Sequence, residues 1–199
     1  MKSFIVAITG ASGCVYGLRV IEELLKAKSK IYLIISCPAF LIIKNETGIT
    51  LRGKTASETE KKIQKYFSSR AIKYYSEDNL EAPPSSGSLI TEGMLIVPCS
   101  MKTLSGIAYG YANTLIERAA DVTLKEGRSL LLAPRETPLS AIHLESMLRL
   151  ARLGVRILPP IPAFYHRPKN INDIVDFVVG KILDNLGIGH NLFKRWKGP

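Results

Sequence analysis

Cysteine, histidine and tryptophan are scarce in this chain, at 3, 3 and 1 of 199 residues. Cys14, Cys37 and Cys99 are odd in number, far apart, and lie in no C-x-x-C or Cys/His cluster. That excludes a disulfide framework, gives no metal site, and fits a reduced compartment. Long apolar runs are missing as well. The longest, Ile31 to Ile43, is broken by Ser36, Cys37 and Pro38 and falls short of the ~20 residues of a membrane-spanning helix. The run Phe4 to Ile8 is too short for a secretory h-region. The expectation is a cytoplasmic protein without a membrane span.

Acidic residues are also in deficit, 17 against 27 Lys and Arg, for a net charge of +10, which favours anionic partners. The basic residues form scattered groups: Lys26, Lys28, Lys30; Lys61, Lys62, Lys65; Arg149, Arg152, Arg156; Lys194, Arg195, Lys197. None is interleaved with aromatics, and no helix-turn-helix, RRM or zinc-finger signature occurs, so solvated helix faces are expected and no nucleic acid. The fingerprint G-x-G-x-x-G is absent too.

What is present is alternation. Five apolar runs, Phe4–Ile8, Ile31–Ile35, Met94–Val97, Ser129–Ala133 and Val155–Leu158, read as buried parallel strands. Between them lie helix-period segments. In Val15 to Lys28, for example, Leu18, Ile21, Leu24 and Leu25 make an apolar stripe, with Arg19, Glu22, Glu23 and Lys26 opposite. Further helices are predicted over Thr103–Glu117, Pro138–Leu153 and Ile171–Leu186, with Pro138 in a first turn. Two insertions interrupt the pattern, a charged helical excursion from Thr55 to Lys73 and a Pro/Ser/Gly-rich stretch from Asp78 to Gly93. The fold class is α/β: a three-layer, Rossmann-like open parallel sheet with helices on both faces, as one domain with right-handed crossovers.

Such sheets bind ligands at the carboxyl ends of their strands. After the first run stands Thr9-Gly10-Ala11-Ser12-Gly13-Cys14-Val15-Tyr16-Gly17, which reads either as a phosphate cradle at a helix N-terminus or as a plain strand-to-helix turn. The second run ends in Ser36-Cys37, where an NAD site would place an acidic residue, so a mononucleotide phosphate is the economical ligand. The third ends in Ser100-Met101-Lys102-Thr103, hydroxyl groups that either meet a ligand or cap a helix. Cys99 reads as a small buried filler. Arg135 and Glu136 follow the fourth run; charges there need a partner or a ligand. Arg118 and Lys125 read equally well as an exposed helix end. The last run leads into a four-proline loop that stiffens the approach of Tyr165 and Arg167. His143 and His190 look ordinary.

At these positions the chain resembles the flavin prenyltransferase (UbiX-like) family of small FMN-binding flavoproteins. The matching pieces are TGASGCVYG (9–17), NETG (45–48), APPSSGS (82–88), PCSMKTLSGIAYG (98–110), NTLIERAADVTLKE (113–126), APRETPLSAIHLESM (133–147), PAFYHRP (162–168) and DFVVGKILDNLGI (176–188), collinear over nearly the whole length. The resemblance implies a flavodoxin-type FMN domain over 1–199 with a tail from about 187, assembled as a homododecamer with FMN at subunit contacts. It implies transfer of the dimethylallyl group of dimethylallyl monophosphate to N5 and C6 of reduced FMN, the prenylated FMN passing to a UbiD-type decarboxylase.

Carried over by residue, the resemblance implies FMN contacts from Gly10, Ala11, Ser12, Ser36, Ser100, Met101, Lys102, Thr103 and Arg135. It implies prenyl phosphate contacts from Tyr165, Lys181, Lys125 and Arg118, with Glu46 reaching in from a neighbouring subunit. Ser12, Glu136, Lys125 and Tyr165 would be catalytic. Metal-dependent prenyltransferases hold Mg²⁺ on an aspartate-rich motif, and no D-D-x-x-D occurs here, so protein cations and a tyrosine hydroxyl would have to take the leaving group. Two departures stand out. Lys181 replaces the family's arginine and lacks its bidentate fork, and Leu80 stands where some members carry tryptophan. The competing readings are an FMN-dependent decarboxylase of the aromatic acid or cysteine type, though the P-x-M-N segment of the cysteine type is missing, and a non-catalytic FMN carrier.

Overall fold

The computed structural model describes residues 1–196 and 198; Lys197, grouped above with Lys194 and Arg195, lies outside the described residues. Strands β1 (Ser3–Ile8), β2 (Lys30–Ile35), β3 (Ile72–Ser76), β4 (Gly93–Cys99), β5 (Ser129–Pro134) and β6 (Arg156–Ile157) form one parallel sheet in the order β3-β2-β1-β4-β5-β6. Without β3, the remaining five strands have the flavodoxin-type winding 2-1-3-4-5; with β3 added at the edge, the order becomes the six-strand Rossmann one.

The helices are α1 (Cys14–Lys26), α2 (Cys37–Thr47), α3 (Ala56–Tyr66), α4 (Met101–Ala108), α5 (Leu115–Lys125), α6 (Ala141–Arg152) and α7 (Ile171–Asn185), with a short 3₁₀ turn at Pro83–Ser85. One apolar layer joins the sheet to α1, α2, α3 and α7 through Leu18, Ile21, Phe40, Ile43, Ile63 and Val178. The other joins it to α4, α5 and α6 through Leu104, Ile107, Leu115, Ala119 and Leu150. All seven residues of β4 are buried, as expected of a central parallel strand covered on both faces. Each large aliphatic side chain buried in these layers contributes about 1.5–3 kcal/mol.

The sequence pattern needs four corrections. There are six strands, not five: β3 carries exposed Lys73 between Ile72 and Tyr74, an edge-strand alternation that the charged segment before it conceals. Cys37–Thr47 is a helix, because Ser36 caps it and Pro38 occupies its first turn, so the apolar run Leu41–Ile43 does not continue the strand. The helix expected over Thr103–Glu117 is two, broken around Gly110 at φ 73°, with Thr114 and Glu117 forming a capping box that restarts the chain as α5. Finally, α6 begins at Ala141 under a Ser140–His143 capping box, leaving Pro138 outside the helix. Among the described residues no helix is long and apolar enough to cross a membrane.

Candidate functional site

The strand order reverses between β1 and β4, and the crevice beyond their carboxyl ends is where this architecture receives ligands. Thr9 ties it together. Its buried hydroxyl donates to the Pro98 carbonyl at 2.8 Å and accepts from the Ser100 N–H at 2.7 Å. The Arg135 N–H donates to Cys99 O at 3.1 Å, and the Ser36 N–H to Ile8 O at 3.0 Å. These four links bring Gly10, Ala11, Ser12, Ser36, Ser100 to Thr103, Arg135 and Glu136 onto one edge of the sheet.

Within that edge the hydroxyl groups cap helices. Ser36 Oγ accepts from Ala39 N–H and Ser100 Oγ from Thr103 N–H, each at 3.4 Å, while Ser100 Oγ donates to Thr103 Oγ1 at 3.1 Å. Both long contacts leave lone pairs for a ligand. Arg135 is exposed, and so is Glu136, whose carboxylate accepts from its neighbour Thr137 N–H at 3.0 Å.

The glycine turn differs from its expected use. Gly13 has φ +93°, which glycine adopts without strain, and no side chain of the turn caps α1. Glu46 of α2 does so. Its carboxylate accepts from Gly13 N–H at 3.0 Å, Cys14 N–H at 3.2 Å and Cys14 Sγ at 3.1 Å. An anion does sit at this helix N-terminus, as the dipole favours, but it is the chain's own carboxylate rather than a ligand phosphate. The resemblance placed Glu46 across a subunit boundary; the structure seats it on its own chain's turn, beside Ser12. Burial alone would raise the pKa of Glu46, but hydrogen bonds from Ser12, Cys14 and the two N–H groups hold it below the ordinary glutamate range. Cys14 is pushed up to about 12 by burial and by Glu46, so it is a neutral donor.

Lys102 reaches outward and pairs with Glu117 Oε1 at 2.7 Å. Glu117 is 2% exposed, and its other oxygen accepts from Asn113 and Thr114 N–H, both at 3.1 Å. This buried carboxylate orients the only expected cofactor-contacting lysine. The signal for it was present as T-x-x-E, a helix start.

The remaining expected site residues lie elsewhere. Tyr165 packs edge-on against Phe177 of α7 at 5.8 Å. Lys181, one turn further along α7, lines a cavity of about 540 Å³ with Ile157, Leu158, Pro159, Ile161 and Phe177. The structure therefore joins Tyr165 and Lys181 through Phe177 at the β6 edge. Arg118 and Lys125 are on α5, where Arg118 pairs with Asp121 at 3.7 Å. This helix starts at the carboxyl edge, where Leu115 N–H donates to Glu77 O. Its 11 residues span about 16 Å, which carries Lys125 to the opposite edge, next to the start of β5. Within one chain Lys125 thus stands at the edge of the sheet opposite the crevice.

A family model described as Flavoprotein matches residues 1–183. A relative from Methanocaldococcus jannaschii, flavin prenyltransferase UbiX, is 50% identical over 192 residues, covering 96% of this chain and 97% of the relative. Among solved structures, a dodecameric FMN-dependent UbiX-like decarboxylase from Escherichia coli O157:H7 superposes with TM-score 0.87 at 42% identity, covering 99% of this chain and 100% of the other. AnUbiX (PadA1), in complex with FMN and dimethylallyl pyrophosphate, gives TM-score 0.87 at 40% identity, covering 99% and 98%.

Proposed function

This chain belongs to the flavin prenyltransferase (UbiX) group of the Flavoprotein family, and from that premise we propose how its residues divide the reaction. It is a flavin prenyltransferase with FMN as the flavin. The donor set of the crevice fits an FMN: hydroxyls from Ser12, Ser36, Ser100 and Thr103, cations from Lys102 and Arg135, and the N-terminus of α4 for its phosphate and ribityl oxygens. Reduced FMN, when bound, supplies the nucleophilic N5 and C6 positions.

The chain's own work is on the prenyl phosphate. Tyr165 donates its hydroxyl to a phosphate oxygen and Lys181 lends a positive charge, while the apolar wall of Ile157, Leu158 and Phe177 takes the dimethylallyl tail. As the allylic C–O bond breaks, its electron pair leaves with the phosphate, and these cations stabilise the charge that develops. Glu46 and Ser12 stand at the α1 N-terminus where an allylic cation would be electrostatically favoured by the carboxylate. Glu136 takes up a proton released at the crevice. Arg118 and Lys125 add cations from the α5 face of an adjoining chain, which requires a homo-oligomer, and the dodecamer of the E. coli relative supports that arrangement. The product passes in the cytoplasm to a UbiD-type decarboxylase.

The observation that carries this reading is the pairing, on one chain, of a nucleotide-type crevice at the switch point with a separate, largely apolar cavity that Lys181 and Phe177 line and on whose Phe177 Tyr165 packs. A pure FMN carrier has no use for the second. Anaerobic incubation with FMN, dithionite and dimethylallyl monophosphate, followed by mass spectrometry of the extracted flavin, tests it. A flavin heavier by one five-carbon prenyl unit supports prenyl transfer. Unmodified FMN from a protein that holds reduced flavin refutes it in favour of a carrier or decarboxylase.

A further inference from the structure

Glu46 meets the first turn of α1 unevenly. Its Oε2 accepts from Gly13 N–H at 3.0 Å, from Cys14 N–H at 3.2 Å and from the Cys14 thiol at 3.1 Å, whereas Oε1 takes the longer Gly13 contact, at 3.3 Å. Glu46 is exposed and Cys14 is 0% exposed. The donors therefore hold one oxygen from the protein side and leave lone pairs of the other open beside Ser12.

The thiol suits that place. Cys14 belongs to the apolar layer that includes Leu18 and Ile21 of the same helix, where a cysteine packs as a small hydrophobe and still offers a weak S–H donor. Burial, with Glu46 adding to it, pushes the thiol up to about 12, so it keeps its proton and the pair carries one charge, on the carboxylate. Backbone N–H groups at a helix start favour a carboxylate in any orientation, and Gly13 N–H reaches both of its oxygens. The thiol bonds Oε2, and that choice fixes the rotation of the carboxylate.

Resting on the prenyl-transfer reading, in which Glu46 favours the allylic cation, we propose that Cys14 is a positioning residue for that carboxylate. Its S–H pins Oε2 against α1, so Oε1 is the oxygen presented to the allylic group, with Ser12 beside it. Cys14 acts through Glu46 rather than on the reacting atoms. A carboxylate free to rotate would spread its charge over several orientations, and a misplaced stabilising group slows the step more than it weakens substrate binding. The other cysteines are engaged differently: the Cys37 sulfur accepts from Arg52 Nη1 at 3.1 Å, and Cys99 Sγ lies 3.6 Å from the Ser100 carbonyl oxygen.

The infrared S–H stretch tests the contact apart from the chemistry, because a stronger acceptor lowers its frequency. The chain has 3 cysteines, and the lowest of their S–H bands belongs to Cys14. Cys14→Val removes that band, and Glu46→Gln, which leaves a neutral acceptor, moves it up. In the FMN-loaded protein under reducing conditions, Cys14→Val lowers kcat for prenyl transfer about tenfold, the effect of one hydrogen bond to a charged group. KM for dimethylallyl monophosphate and flavin content stay within about twofold. Cys14→Ser restores a donor and remains within about threefold of wild type, while Cys14→Ala repeats the loss seen with valine and guards against misfit of the branched side chain. Unchanged kcat in both Cys14→Val and Cys14→Ala overturns the proposal. So does a serine variant as slow as the valine one, or a Cys14 band that Glu46→Gln leaves in place. A wild type that forms no prenylated flavin overturns the underlying reading instead, and the bands, which depend on the thiol–carboxylate contact alone, tell the two failures apart.

Discussion

Removing the Glu117 side chain separates two functions that one buried carboxylate performs. Glu117 accepts from the N–H groups of Asn113 and Thr114 at 3.1 Å and from Lys102 Nζ at 2.7 Å, while itself 2% exposed. In Glu117→Ala both backbone donors lose their partner, the capping box is halved, and space for several heavy atoms opens against Gly106, whose missing Cβ would stand 2.8 Å from Glu117 Oε1. A lost cap costs about 1 kcal/mol, and each buried donor left unsatisfied about 1–3 kcal/mol. Part of the second cost is relieved by water entering at the helix start. The expected loss is about 2–4 kcal/mol.

Glu117→Gln keeps an acceptor on the two N–H groups, since glutamine serves in a capping box, and gives up only the pair with Lys102. The lysine side chain is 72% exposed and returns to water readily, so this variant loses about 1 kcal/mol or less. Lys102→Ala falls in the same range, and the double variant with Glu117→Gln adds nothing to it. Urea unfolding of the four proteins, read as midpoint at constant slope, measures the series. The reasoning fails if Glu117→Gln is as damaging as Glu117→Ala. It also fails if Lys102→Ala exceeds about 2 kcal/mol, because either result makes the ion pair rather than the cap the main contribution.

Three further outcomes are expected. Asp184 is held below the ordinary aspartate value of 3.8 by its bonds to Arg195 and His190, against the opposing effect of burial. A depressed carboxylate stabilises above its unfolded value and loses that contribution as pH falls through the folded one, so Trp196 emission should stay flat from pH 8 to 5 and change only below about pH 4; a transition above pH 5 would refute the assignment to Asp184. Glu136→Gln should retain FMN while lowering prenylation tenfold or more, measured by flavin absorbance and product mass; equal turnover removes Glu136 from the proton transfers. Tyr165→Phe should raise the KM for dimethylallyl monophosphate about tenfold, the effect of one hydrogen bond to a charged group, with FMN still bound; loss of flavin would contradict its place at the β6 edge.

The parts of this molecule legible in sequence are those fixed by local physics. Apolar runs named five of the strands because a parallel strand covered on both faces must be apolar throughout, and the residues after them named the crevice because strand ends are where the fold exposes backbone. β3 escaped because an edge strand is half solvated and Lys73 breaks its run. The use of the glycine turn escaped for a different reason. A helix N-terminus attracts any anion, and residues 9 to 17 do not say whether that anion is a ligand or a side chain 33 positions away; only the packing of α2 on α1 brings Glu46 to Gly13. Gly180 shows the same limit in reverse. Its lack of a Cβ reads as a weak point in a helix until Phe193 and His190 are seen to occupy the space. A local sequence signal thus states what a segment can accept, and tertiary contact decides what it receives. The tail residues Arg195 and Trp196, which in sequence close an unremarkable basic end, acquire a fixed place only through Asp184 and Tyr165, 11 and 31 positions earlier.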